Sequence, residues 1–324
     1  MTVVFMGTGE IGAPVLRWLI EHSGHQVVAV VCQPDKPVGR RQTMTAPVTK
    51  QVALASGVPV LQPEKINDPA AVEEVLAWQA DLMVVMAYGQ FLPKRIREGA
   101  RLGCINLHAS LLPRWRGASP IQSALAAGDA ETGVTVMRVV REMDAGEMIL
   151  AGKIPISAED TGQSLHDRLA QLAPLVLERA LPLIEAGTAP SLAQPAPFVT
   201  HCAKLTREAG RLDWSRPAVE LERLIRAYDP WPGTHTLLPA SWGGRILKVF
   251  PPVLVVPRPT GAVAHSGEIL AVDRLTVTVA AGTDALMLHS LQTEGQKRLL
   301  VREFLAGTRL EVGQILGQVA AGAE

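Results

Sequence analysis

Short apolar, β-branched runs alternate with amphipathic stretches through the first half of the chain, the pattern of parallel strands joined by helices. "TVVFMG", "HQVVAVVCQ" and "VPVLQP" read as strands. "ADLMVVMAYG" is the most apolar of all and is expected near the centre of a sheet. Between them, "APVLRWLIEHSG" reads as a helix closed by Gly24 and "MTAPVTKQVALASG" as one ending at Gly57. "DPAAVEEVLAWQ" has Asp68 at the N-cap position and Pro69 at the first helical position. "GCINLHAS" reads as the next strand, followed by the helix "SPIQSALAAG" and the strands "TGVTVMRVV" and "EMILAGKIPIS". A long helix from Thr161 to Gly187, bent at Pro174, closes this half. The expected fold is α/β, a Rossmann-like, mostly parallel sheet with helices on both faces.

Beyond Gly187 the pattern changes. "TAPSLAQPAPFV" holds three prolines in the eight residues from Pro190 to Pro197, as a semi-rigid linker would. After it come the helical "AVELERLIRAY" and short β-rich segments ("GRILKVF", "SGEILAV", "RLTVTVAAG", "ALMLHSL") punctuated by Gly and Pro. Those segments predict a small C-terminal β-barrel, OB-like. The division is a catalytic domain over 1–188, a linker over 189–205 and a barrel domain over 206–324.

Composition narrows the classes. Lys+Arg and Asp+Glu number 31 each, so bulk charge does not hold this chain to nucleic acid, although local charge can. Cys32, Cys104 and Cys202 are far apart with no metal or redox spacing, which fits a reducing compartment and argues against a disulfide framework or a zinc site. No apolar run approaches membrane-spanning length and no signal-peptide pattern opens the chain. A cytoplasmic enzyme without metal is the expectation. The opening Gly7-Thr8-Gly9-Glu10-Ile11-Gly12 spells the G-x-G-x-x-G of dinucleotide sites. Those sites need an acid about 20 residues on, at the end of the second strand. Here that strand runs into Cys32-Gln33-Pro34, with Asp35 beyond the proline. A tight strand-to-helix turn explains the glycines without NAD.

The stretch "GCINLHASLLPRWRGASPIQ" carries the candidate chemistry. Asn106 and His108 are two apart on a strand, so their side chains share a face. At the carboxyl end of a strand in an open α/β sheet, that face borders the ligand crevice. An amide and an imidazole aimed at one point can stabilise the oxyanion of an acyl-transfer intermediate. Asp144, in "REMDAGEMI", can complete the set, because a carboxylate beside an imidazole fixes its tautomer and favours its charged form. Taken singly, each of the three has a plain structural use.

Together these residues resemble the folate-dependent formyltransferase family, whose pattern is Asn-x-His, then Ser-Leu-Leu-Pro, then Asp-x-Gly. All are present: Asn106, His108, Ser110-Leu111-Leu112-Pro113 and Asp144-Ala145-Gly146. "QPDKPVGR", "VVMAYGQFLP", "GDAETGVTVM" and "DWS…IRAYDPWPG" also resemble family blocks, those of the branch that acts on charged tRNA. The resemblance implies transfer of a formyl group from 10-formyltetrahydrofolate to the α-amine of methionyl-initiator-tRNA, without metal or redox cofactor. It implies that Asn106 and protonated His108 steady the oxyanion while Asp144 orients His108. Met86, Ala87, Tyr88 and Gly89, with Ser110, Leu111, Leu112 and Pro113, would line the pterin pocket. It further implies that the loop from Lys36 to Lys50, with Lys36, Arg40, Arg41, Lys50 and no acid, meets tRNA phosphates. That loop lacks the family's usual paired lysines. Arg114 and Arg116 could reach either the folate tail or tRNA phosphate, and Trp115 could be a packing residue. A monomer also resembles the family. The competing readings are a formyltransferase acting on an amino-sugar nucleotide and, from another class, an NAD(P)-dependent oxidoreductase.

Overall fold

Alternating strand and helix patterns build the first of two compact units, described by a computed structural model for residues 1–39, 41–258 and 264–318. In chain order its elements begin with β1 (Thr2–Met6), α1 (Ala13–Glu21), β2 (Gln26–Val31), β3 (Lys36–Val38) and β4 (Thr43–Thr45). They continue with α2 (Val48–Ala55), β5 (Val60–Leu61), α3 (Pro69–Leu76), β6 (Leu82–Val85), α4 (Lys94–Arg97), β7 (Cys104–His108) and β8 (Arg116–Gly117). Next along the chain are α5 (Pro120–Ala127), which clusters with the second unit, then β9 (Glu131–Arg138), β10 (Met148–Pro155), α6 (Gly162–Glu185) and β11 (His201–Cys202). Seven strands form one sheet in the order β10-β9-β7-β6-β1-β2-β5. Its β5-β2-β1-β6-β7 portion is parallel, while β9 runs antiparallel to β7 and β10 antiparallel to β9. Successive residues of β1 point to opposite faces, yet Val3, Val4, Phe5 and Met6 are all fully buried, so both faces are covered. Val4, Met6, Val31, Met83 and Val85 pack with Val72 and Val75 of α3 and Ile96 of α4 on one of them.

Three expected features are drawn differently. The helix expected from Met44 starts only at Val48, because the residue before Pro47 is excluded from helical backbone. Thr43–Thr45 is instead a strand paired antiparallel to Lys36–Val38, which makes the expected loop a hairpin. The proline-rich stretch is not a free spacer. Leu192 pairs with Met148 and β11 pairs with β8, so the chain clusters with the first unit as far as Cys202. Conversely, Ile121–Ala130 and Ile156–Leu165 cluster with the second unit. There Ala126 packs on that unit's core and the Asp160 carbonyl accepts a bond from Arg226 Nη1.

The second unit adds α7 (Ala218–Ala227), β12 (Thr234–Leu237), β13 (Ile246–Val256), β14 (Ile269–Val272), β15 (Val277–Ala280), β16 (Ala285–Thr293), β17 (Leu299–Leu300) and α8 (Val301–Gly307). Strands run β12-β13-β16-β15-β14, with β17 on β16. The segment 313–317 closes the ring. It bonds to Gly267 and Ile269 on one side, and Gly317 N–H donates to the Leu237 carbonyl on the other (2.9 Å). Inside lie Trp214, Leu221 and Ile225 with Leu247, Val249, Val279, Leu286 and Leu288, and Trp214 Nε1 donates to Thr236 Oγ1 (2.9 Å).

Candidate active site

β7 lies between β6 and β9, placing Asn106 beside Val85 and Met137, and His108 beside Thr135. Two-residue spacing on one strand puts both side chains on one face. Asn106 is half-buried and His108 only 6% exposed. The chain order reverses between β1 and β6, the point in such sheets beside which ligands bind, and β7 adjoins β6 there.

Asp144 reaches this face from the loop between β9 and β10. Its Oδ2 lies 3.6 Å from His108 Nδ1 and accepts the Gly117 N–H at 2.9 Å. Asp144 holds a left-handed backbone (φ 50), a conformation an Asp tolerates because its short side chain can bond locally. Two residues on, a Cβ at position 146 would meet the Arg138 carbonyl at 1.8 Å, so only glycine lets this loop press against the end of β9. On the far side of the ring, His108 Nε2 is 2.8 Å from the Trp115 carbonyl. A carbonyl only accepts, so Nε2 carries a proton, and a ring protonated on both nitrogens satisfies the carbonyl and the carboxylate together. The amide and the imidazole therefore share a face, but neither His108 nitrogen is aimed freely at a common point with Asn106.

The segments expected to line a pterin pocket follow the carboxyl ends of the neighbouring strands β6 and β7. Met86 and Tyr88 turn inward, Tyr88 joining the packed core, while Ala87 and Gly89 are exposed. Ala87 (φ 51) and Gly89 (φ 84) both have left-handed backbone. Burial raises the Tyr88 hydroxyl pKa above its ordinary value. After β7, Ser110 is fully buried and its Oγ donates to the Arg114 carbonyl (2.7 Å). Thr135 Oγ1 donates to the Ser110 carbonyl (2.7 Å) and accepts the Leu112 N–H (3.2 Å). Leu111 and Pro113 are half-buried and Leu112 is buried, so their backbone and apolar surface, not the Ser110 hydroxyl, are what a ligand can meet.

The glycine-rich loop is occupied by the protein itself. Gly7 N–H donates to the Val31 carbonyl, and those of Thr8 and Gly9 both donate to the Ala87 carbonyl. Those are amides a pyrophosphate would use. A Cβ on Gly7 would meet the Phe5 ring at 2.6 Å and the Met86 carbonyl at 2.7 Å, so close packing is what requires the residue.

Comparison with known proteins identifies the family. The profile described as "Formyl transferase" matches residues 1–181, and that described as "Formyl transferase, C-terminal domain" matches residues 204–309. The chain belongs to the formyl transferase family. Methionyl-tRNA formyltransferase of Akkermansia muciniphila is 44% identical over 311 residues, 95% of this chain and 96% of that protein. Among solved structures, WlaRD, a sugar 3N-formyl transferase, superposes with a TM-score of 0.62 at 14% identity, covering 92% of this chain and 99% of that one. HypX from Aquifex aeolicus gives 0.60 at 16% identity over 95% of this chain, which spans 49% of HypX. At such identities the structures speak to the fold alone.

In this formyl transferase the basic segment is the hairpin of β3 and β4. Lys36 and Arg41 are exposed, as are Val38 and Met44, whereas Arg40 lies outside the described residues. Lys36 Nζ donates to Gln33 Oε1 (2.6 Å). Lys50 sits on α2, where its Nζ donates to both carboxylate oxygens of Asp35 at 2.9 Å. The Gln62 amide and Lys50 together hold the Asp35 carboxyl below the usual carboxylate range. The charge of Lys50 is thus already matched within the protein.

Three residues around the site escaped the sequence reading. Thr135 is a polar interruption of an apolar strand, a signal that could have drawn attention. Gln194 and Thr200 carried no signal, because only the return of the expected linker to β8 and β10 brings them near. Among the described residues no group of three or more His, Cys, Asp or Glu is arranged to hold a metal, and no helix is long and apolar enough to cross a membrane.

Proposed function

We propose that this formyl transferase moves the formyl group of 10-formyltetrahydrofolate to the α-amine of methionyl-initiator-tRNA, giving N-formylmethionyl-tRNA for translation initiation. The observation that carries the reading is that Asp144, 38 positions after Asn106 along the chain, reaches His108 on the strand face that His108 shares with Asn106, beside the reversal of the sheet.

The amine nitrogen attacks the formyl carbonyl carbon. A new C–N bond forms, negative charge gathers on the carbonyl oxygen, and the bond to folate N10 breaks as the amine's proton passes to N10. Asn106 supplies a neutral N–H to the oxyanion. His108, held by Asp144 and the Trp115 carbonyl, places a positive charge beside it in a poorly solvated setting, where a charge acts more strongly than in water. A substrate oxygen that takes the Nε2 proton does so by displacing the Trp115 carbonyl. Ala87, Gly89 and the backbone of Leu111–Pro113 offer the flat pterin an apolar rim with peptide donors and acceptors. Lys36 and Arg41 on the hairpin approach tRNA phosphates, Arg40 adds its charge to the same stretch of sequence, and Lys50 supports the hairpin's base through Asp35. The enzyme works as a cytoplasmic monomer.

The test offers the purified protein 10-formyltetrahydrofolate with charged initiator tRNA and, in parallel, with an amino-sugar nucleotide. Formylation of the tRNA alone is expected. Formylation of the sugar alone would replace this reading.

A further inference from the structure

The segment 192–202 lies outside both family matches, yet it touches the site at two places. Its anchors are backbone bonds: Leu192 and Met148 exchange N–H···O bonds of 3.0 and 2.8 Å, and β11 pairs with β8. From Ser191 to Phe198 the side chains are exposed except that of Gln194, which is half-buried. Its Nε2 donates to two carbonyls of one turn, Asp144 (2.7 Å) and Gly146 (2.8 Å). Its Oε1 accepts from Arg116 Nε at 2.8 Å. One amide thus ties the Asp144 turn to the strand whose next residue, Gly117, donates its N–H to the Asp144 carboxylate.

We propose that Gln194 is a positioning residue, which clamps the left-handed turn at Asp144 so that its carboxylate stays on His108 and on the Gly117 N–H. The proposal rests on the formyl-transfer reading for its kinetic consequence but not for its geometry. Left-handed backbone carries a modest cost even for an Asp, which surrounding contacts offset. Gly146 packed against β9 closes one side of the turn and the two Gln194 bonds close the other. Gln194 touches neither His108 nor a reacting atom, so it acts through the Asp144 turn and, by way of Arg116, through the strand that carries Gly117. Thr200 acts as a counterpart on the opposite side. Its Oγ1 accepts the Trp115 N–H (2.9 Å), its carbonyl accepts the Arg116 N–H (2.9 Å), and Trp115, with φ 64, presents the carbonyl that holds His108 Nε2.

The experiment compares the full chain with Gln194→Ala and Gln194→Glu. The glutamate keeps the length and an acceptor for Arg116 while removing both N–H donors, so a clamp that works by donation fails in both variants. The first readout is hydrogen exchange of the Gly117 amide by NMR, with the Val30 amide of the central sheet as reference. Exchange at Gly117 is expected to rise at least tenfold while Val30 changes less than twofold. The second readout is a kcat lowered about tenfold or more, with KM for the formyl donor within twofold. Unchanged Gly117 exchange in a folded variant, or exchange restored by Gln194→Glu, would overturn the clamp. An altered KM at unchanged kcat would overturn the positioning role. A wild-type chain that formylates neither acceptor would defeat the formyl-transfer reading, and Gly117 exchange would still decide the clamp.

Discussion

The surroundings of His108 and the hairpin of β3 and β4 are both polar, and they are built in opposite ways. Around His108 the carboxylate is answered by imidazole and peptide N–H, the ring by a carbonyl and the turn by an amide. Along the hairpin, Arg41, Val38 and Met44 face outward. Stabilising a developing charge needs donors fixed before the reaction, since reorientation during it costs energy. A phosphate backbone needs positive charge within reach and tolerates loose geometry. Substitutions in the first region should therefore lower kcat, and in the second they should weaken substrate use in a salt-dependent way.

The largest effect is expected at His108. His108→Ala should lower kcat about 10³-fold, within the range for a positioned acid–base or charged group, while circular dichroism stays that of a folded chain. Near-normal turnover would break the contrast. Asn106→Ala comes next, with kcat down about 10²-fold as for loss of one oxyanion donor and KM for the folate little changed. A loss confined to KM would move Asn106 to ground-state binding. Arg41→Ala should raise KM for methionyl-tRNA a few-fold and flatten the log K against log salt slope by about one unit. Identical salt slopes would remove the hairpin from tRNA contact.

Lys50→Met is the smallest and separates the base of the hairpin from its tip. Asp35, held below the ordinary carboxylate range by Gln62 and Lys50, binds its proton more weakly folded than unfolded. Its contribution is complete above the unfolded value of about 4 and is lost as pH falls through the lower folded value. Urea midpoints of variant and wild type should differ most near neutrality and converge in acid. A gap independent of pH would mean that Lys50 acts through packing.

Much of this was legible along the chain. The order of strands and helices followed from apolar periodicity, and Asn106 and His108 shared a face because a strand repeats every two residues. The glycine loop was read as a turn because the acid that a dinucleotide needs is missing after β2. The hairpin was missed because three-residue strands carry too little pattern to outweigh an apparent helix. Gln194 was invisible for a different reason, since its three partners lie 48, 50 and 78 positions away and its own surroundings read as linker.

Local spacing and side-chain chemistry by themselves determined the α/β order, the barrel-forming second half and the shared face of Asn106 and His108, because those properties depend on neighbours a few residues apart. Only the tertiary structure decided that both nitrogens of His108 are engaged, that Lys50 belongs to Asp35, and that a proline-rich segment returns to hold the Asp144 turn. Each of these is a contact between distant residues, set by where the packed sheet sends the chain and not by any local preference of the residues themselves.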